Sequence, residues 1–248
     1  MRKIAFDLAK WLVSLHSKSR NVFIGVPSQK VTIGAGNNSP VPEFIYRYTY
    51  NNLHTALSRY GHDTQLAAQI NEEFGSLLAT DNECLCHGSF HPEKVLIRST
   101  DPFFTEPNSE KRLPDLTIVD WRTARWGASA TDVGQFAAAA FLIDRFRGAR
   151  DLFRDFLNAY ILARRLAAPD GIEPIRKAWI RRMAVHWAVH VAFWPTQVAW
   201  THKQGTQILV DIGVRVLKAA LADDWTSLRE SALFRNLSSD WTTAFLLD

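Results

Sequence analysis

The chain has 248 residues, nearly half of them apolar, so it can bury a large core, and its net charge of +4 comes from basic residues interleaved with acidic ones, which demands no nucleic-acid partner. Its apolar runs are too short and too closely flanked by charge to span a bilayer. Arg2, Lys3, Asp7 and Lys10 would break a secretory hydrophobic segment, so a cytoplasmic globular protein without a membrane partner is expected.

Ile4, Leu8, Trp11, Leu12 and Leu15 fall at helical spacing and predict a helix ending near Ser19. Residues 22–42 turn to Gly, Ser, Asn and Pro and predict a loop, with room for a short strand at 31–33. Phe44, Tyr48, Leu53, Leu57 and Tyr60 mark a second helix, and Leu66, Ile70, Phe74, Leu77 and Leu78 a third, N-capped by Thr64. Residues 84–87, 95–98 and 116–119 are short β-type runs, divided by a polar insertion at 99–114, and predict a small sheet or hairpin. Cys84 and Cys86 share one strand face at a separation poor for a disulfide. They supply too few ligands for a metal, so reduced core thiols and no metal site are expected.

After Asp132 the period is helical to the end. Two helices carry Phe136, Phe141, Phe153, Phe156 and Tyr160, a break falls at 169–171, and a long helix runs through Trp179, Met183, Trp187 and Val191 to Pro195. The last carries Ile208, Ile212, Val216 and Leu221. Arg176, Lys177, Arg181 and Arg182 read as a solvated helix face. The expected architecture is one mostly helical α+β domain over 1–248. Its parts are helices and a loop (1–80), a β-insert (81–122) and a helical subdomain (123–248).

The chemistry concentrates in Cys86-His87-Gly88-Ser89-Phe90-His91-Pro92-Glu93-Lys94-Val95-Leu96-Ile97, followed by Ile118-Val119-Asp120-Trp121-Arg122. A polar turn between strands, joined to one acid at the end of another strand, is how phosphotransferases position a base and metal ligands. The first segment resembles the catalytic loop of aminoglycoside phosphotransferases and choline, homoserine and methylthioribose kinases, where His-Gly-Asp is followed after four residues by Asn. The second resembles their metal-binding Asp. Ala124-Arg125-Trp126-Gly127 and Asp132-Val133-Gly134-Gln135-Phe136 are similar to the continuation of that pattern, and Leu12, Leu15 and His16 to the helix after its hinge. The resemblance implies the C-terminal lobe of a protein-kinase-like fold over the whole chain, with no N-lobe. His87, Gly88 and Asp132 match positions that hold the loop's shape.

Carried over residue by residue, the resemblance breaks at the reacting groups. The family's catalytic Asp falls on Ser89, which cannot act as a carboxylate base, and its metal-binding Asn falls on Lys94, which has no lone pair while charged. The acid that commonly follows the metal-binding Asp by two positions is Arg122 here. The family's nucleotide-gripping sheet and glycine-rich loop would precede residue 1, and Gly34-Ala35-Gly36-Asn37-Asn38-Ser39 is a poor phosphate cradle because Pro40 and Pro42 follow it. Asp120 is therefore expected either to take Lys94 or Arg122 in place of a metal, or to face a Lys94 that reaches into solvent.

His186 and His190 lie one helical turn apart among tryptophans and read as core or pocket-lining residues, without the Glu of a zinc helix between them. A triad of Ser89, His87 or His91, and Asp120 lacks a nucleophile elbow. The expectation is a small-molecule site with no cofactor, turned to an ATP-independent acid–base step such as a cyclisation or isomerisation. Asp120, His87, Ser89, His91, Glu93, Lys94 and Arg122 are its candidate catalytic groups, and Trp121, Trp126, Trp187, His190 and Trp194 line its substrate pocket. The alternatives are an inert pseudokinase that binds a ligand or partner, and a phosphotransferase with its N-lobe supplied elsewhere. A homodimer that covers the lobe-facing surface is also expected.

Overall fold

The computed structural model describes residues 2–18, 47–98, 115–148, 150–167 and 174–247. The expected loop at 22–42 with its strand, Phe44, the insertion at 99–114 and the break at 169–171 lie outside them.

Helix α1 (Arg2–Lys18) buries Ala5, Leu8, Ala9, Leu12 and Val13 along one stripe. It packs on α5 (Leu152–Leu166), whose Phe156, Leu157 and Tyr160 answer it. Helix α2 (Tyr48–Arg59) buries Tyr50, Leu53, Ala56 and Leu57. The expected third helix is α only over α3 (Gln65–Ile70), then a π turn at Asn71–Gly75 and a 3-10 turn at Ser76–Ala79. The winding changes where Asn71 gives its side chain to Arg47 and Asn51 and Ser76 Oγ bonds the Glu72 carbonyl, local bonds that compete with the regular ladder. Thr64 occupies the N-cap without a side-chain bond, and Asp63 Oδ1 takes the Gln65 N–H instead.

The β-insert is two ladders. Strand β1 (Cys84–Cys86) pairs antiparallel with β4 (Arg125–Gly127), Cys86 opposite Arg125, and β2 (Val95–Arg98) pairs antiparallel with β3 (Asp115–Ile118), Val95 opposite Ile118. Both bracket one turn, residues 87–94, and hold it over the helices.

The helical part comprises α4 (Ser129–Phe146), α5, α6 (Lys177–Gln197), α7 (Lys203–Leu221) and two short helices, α8 (Trp225–Glu230) and α9 (Ser239–Ala244). Helix α6 is buried on nearly every face from Ile180 to Phe193 and packs against α2, α4 and α7. Pro195 sits inside its last turn, and the helix stops two residues later, as a missing amide dictates. Arg182 corrects the reading of a solvated basic face: it is 7% exposed and donates to the Phe74 carbonyl and to Asp81. Buried guanidinium needs such acceptors. The fold is α+β and mostly helical, and no helix among the described residues is long and apolar enough to cross a membrane.

Candidate functional site

The turn at 87–94 is fixed from below. Gly88 has φ +78, and a Cβ there would strike the Thr123 carbonyl, so only glycine fits. The Asp132 carboxylate, in the first turn of α4, accepts the N–H groups of His87 (2.7 Å) and Gly88 (2.9 Å) and faces His16 Nε2 at 3.3 Å. Burial works to raise the Asp132 pKa, but His16 and the two amides hold it below the usual carboxylate value. Burial likewise opposes charge on His16, yet bonds to Asp132 and Cys86 raise it to about 9. Phe90 anchors the turn, with its ring 5.1 Å from Phe136 and 5.8 Å from Trp11.

His87 is fully buried. Its Nε2–H donates to the Val119 carbonyl at 3.0 Å, which leaves Nδ1 to accept from Ser89 N–H at 3.4 Å. With both nitrogens engaged it ties the turn to the strand end and has no free position for a substrate proton, which corrects its assignment as a proton-transfer group.

Asp120 follows β3 in the left-handed region, φ 65 and ψ 62. That conformation is strained for a residue with a Cβ and turns its carboxylate back toward the 87–94 turn. Lys94 Nζ lies 2.5 Å from Oδ2, and Arg122 bonds Oδ1 through Nε at 2.6 Å and Oδ2 through Nη2 at 3.1 Å. The bonds from Arg122 and Lys94 hold the Asp120 carboxyl far below its ordinary pKa. Of the two expected arrangements, the one with organic cations on Asp120 is observed. Both oxygens are taken by positive groups, and Lys94 offers an ammonium with no lone pair for a cation, so this set does not fit magnesium.

Beside this cluster, beneath the turn, lie two adjoining cavities of about 360 and 330 Å³ that share Ser89, Gln135, His190 and Trp194. The larger has an apolar floor of Ala138, Ala139, Leu142 and Ile143 with His91 and Glu93 at its rim. The smaller is walled by Thr131, Arg125 and His186. Burial lowers the pKa of His91, His186 and His190, the last to about 3, so all three imidazoles are neutral at pH 7. Trp194 Nε1–H donates to His190 Nδ1 at 2.8 Å, and since indole nitrogen only donates, the His190 proton sits on Nε2.

The candidate residues thus separate into two groups. Ser89, His91, Glu93, His190 and Trp194 line the cavities; Asp120, Lys94 and Arg122 form the neighbouring ionic cluster, and Trp121, outside both cavities, donates its Nε1–H to the Ile118 carbonyl at 3.1 Å. Trp187 and Trp126 line neither cavity. Trp187 is completely buried among Phe141 and Phe153, so its role in the pocket is corrected to packing, and Trp126 is half-buried on β4 opposite Leu85. Sequence reasoning missed Gln135, which follows Asp132 by three and precedes Ala138, Ala139 and Leu142 at helical spacing. That periodicity marks one face of α4 running from the turn into the cleft.

Cys84 and Cys86 are free, buried thiols with sulfurs 3.9 Å apart, and one His16 nitrogen lies within 4.8 Å of both. The donor types suit a soft cation. His16, however, is already committed to Asp132 and Tyr160, so the cluster reads as the support of the turn. No protein-family model matches the chain, and neither does any curated protein.

Proposed function

We propose that this chain is a kinase-like C-lobe, related to the aminoglycoside phosphotransferases, that has given up phosphoryl transfer for ATP-independent acid–base chemistry on a small molecule in the cytoplasm. The observation that carries the reading is Asp120. The carboxylate that should anchor magnesium is neutralised by Lys94 and Arg122 on both oxygens. Asp132 gripping the His87 and Gly88 amides supports the likeness of the fold, because those positions match the ones that shape the family's loop. Among the described residues the strands form two two-stranded ladders.

With Asp120 locked as an anion between two cations and His87 doubly bonded, the proton-transfer role falls to His91. It is a neutral imidazole at the rim of an apolar cavity, with Glu93 Oε2 3.9 Å from its Nδ1 and the Ser89 hydroxyl lining the same space. A neutral imidazole can take a proton at pH 7, and a carboxylate as weakly basic as Asp120 cannot do so effectively.

The test is a melting curve with and without magnesium and ATP, together with an assay for released phosphate. The melting temperature should stay unmoved and no phosphate should appear, because a ligand that does not bind the folded state cannot stabilise it. A rise with hydrolysis that disappears in Asp120→Asn would overturn the reading in favour of a surviving phosphotransferase. The inert, partner-binding alternative draws on one feature, the exposed apolar side chains of Leu96, Ile97 and Trp121. A homodimer through that surface should dissociate in Ile97→Lys, as read by sedimentation.

A further inference from the structure

His190 is more than nine-tenths buried, lines both cavities, and spends its Nδ1 on the Trp194 indole. Among the described residues its Nε2–H has no hydrogen-bond acceptor. A buried donor held in one tautomer by a neighbour and left open toward a cavity is arranged to meet an oxygen that arrives with the ligand. The walls specify the rest of that ligand. Ala138, Ala139, Leu142, Ile143 and the Trp194 ring favour a flat apolar body, and the polar groups around it are the neutral His91, the Ser89 hydroxyl, the Gln135 amide and the largely solvent-exposed Glu93.

We infer that His190 is the oxygen anchor of the site, donating its Nε2–H to the carbonyl of a flat, uncharged ketone or enone whose acidic C–H faces His91. This rests on the acid–base reading of the cleft and names its substrate class. The step balances within the pair. The C–H bond next to the carbonyl breaks, its proton goes to the His91 imidazole, and the electron pair moves onto the carbonyl oxygen as an enolate that accepts the His190 hydrogen bond. Return of the same proton to another carbon of the conjugated system yields an isomer, with no oxidant, reductant or second substrate. A neutral imidazole suits the anchoring task, because an imidazolium would be a stronger acid than the enolate needs and would surrender its proton.

The probes are 2-acetylnaphthalene and 2-isopropylnaphthalene, which share a flat apolar body and differ in the carbonyl. Binding to the full chain is followed by tryptophan fluorescence, and the bound ketone's C=O stretch by infrared difference spectroscopy. The ketone should bind about tenfold more tightly than the hydrocarbon, one good hydrogen bond to a buried donor. Its stretch should move to lower frequency on binding. His190→Phe should abolish both the preference and the shift while the hydrocarbon still binds. His190→Gln, which keeps an N–H donor, should restore part of each, an effect that loss of packing would not reproduce. Equal binding of the two probes, or a preference that survives His190→Phe, overturns the anchor. Exchange of the acetyl protons in D₂O, read by NMR, tests the underlying reading separately. It should be accelerated by the wild type and lost in His91→Phe. An intact carbonyl preference without accelerated exchange leaves the anchor standing and removes the acid–base function. If neither probe binds, the cleft is not a site for apolar small molecules and both readings fall.

Discussion

At Asp120 the two cations differ in what surrounds them. Arg122 makes two bonds to the carboxylate but is 87% exposed, and Lys94 makes one while only 23% exposed. Solvent and salt screen the exposed pair far more than the sheltered one. We therefore expect Lys94→Met to raise the Asp120 carboxyl pKa toward the ordinary value of about 3.9 more than Arg122→Met does at high salt. Carboxyl-carbon NMR titrations at low and high salt read both. The sign follows from the depressed native pKa: the pairing stabilises the fold above the unfolded carboxyl's titration and is lost as pH falls through the native value. A larger effect from Arg122→Met at high salt would show that bond count outweighs screening. Gly88 is a second position where one residue decides the geometry. Gly88→Ala adds backbone strain of about 1–3 kcal/mol and drives a methyl into the Thr123 carbonyl, so urea unfolding should show a loss at or above that range.

Among the elements, α4 on α6 and α7 on α6 each make a close approach at a glycine. A Cβ at Gly134 would lie 2.7 Å from the Met183 carbonyl, and one at Gly213 would lie 2.8 Å from the Ala188 carbonyl and from the Ala192 Cβ. Gly134→Ala should lower stability by about 1–3 kcal/mol, despite alanine's better helix propensity, because backbone on both sides cannot yield as a flexible side chain would. Denaturant unfolding checks it, and a stabilised variant would mean the helices separate freely. The apolar stripe of α1, Leu53 and Leu57 of α2, and Ile212 and Val216 of α7 were legible in the sequence, since each needs only its own period to be read, whereas Tyr48 and Ile208, which share those periods, are exposed. Strand β4 was not, because three residues carry too little alternation to register and its pairing with β1 is set by partners some forty residues away. The turn at 87–94 and the place of Asp120 beside it were legible as chemistry, although charge complementarity left a Lys94 reaching into solvent equally open. The division of the candidates was not: whether His87 meets substrate or a carbonyl depends on Val119, which packing brings to it.

For the molecule as a whole, the buried histidines pull stability in opposite directions along the pH axis. His16 has its native pKa raised to about 9 by Asp132 and Cys86 against the opposing effect of burial, so what it contributes is complete below an unfolded value near 6.5 and is lost as pH rises through about 9. His186 and His190 are depressed by burial, the latter to about 3, so they destabilise the fold as pH falls below about 6.5, when the unfolded chain gains protons that the native state refuses. Each group working alone gives a slope of about 1.4 kcal/mol per pH unit within its window. Melting temperature should therefore peak near pH 6.5 and fall on both sides, the acid side more steeply because His91, itself lowered by burial, shares it with His186 and His190. The flanks should also separate by mutation. His16→Gln should flatten the alkaline flank and leave the acid one, and His190→Phe should do the reverse, making the acid flank shallower without abolishing it. Differential scanning calorimetry across pH 4 to 10 reads all three proteins. An alkaline flank that persists in His16→Gln would place its origin in another group and would remove the charged His16–Asp132 pair from beneath the 87–94 turn.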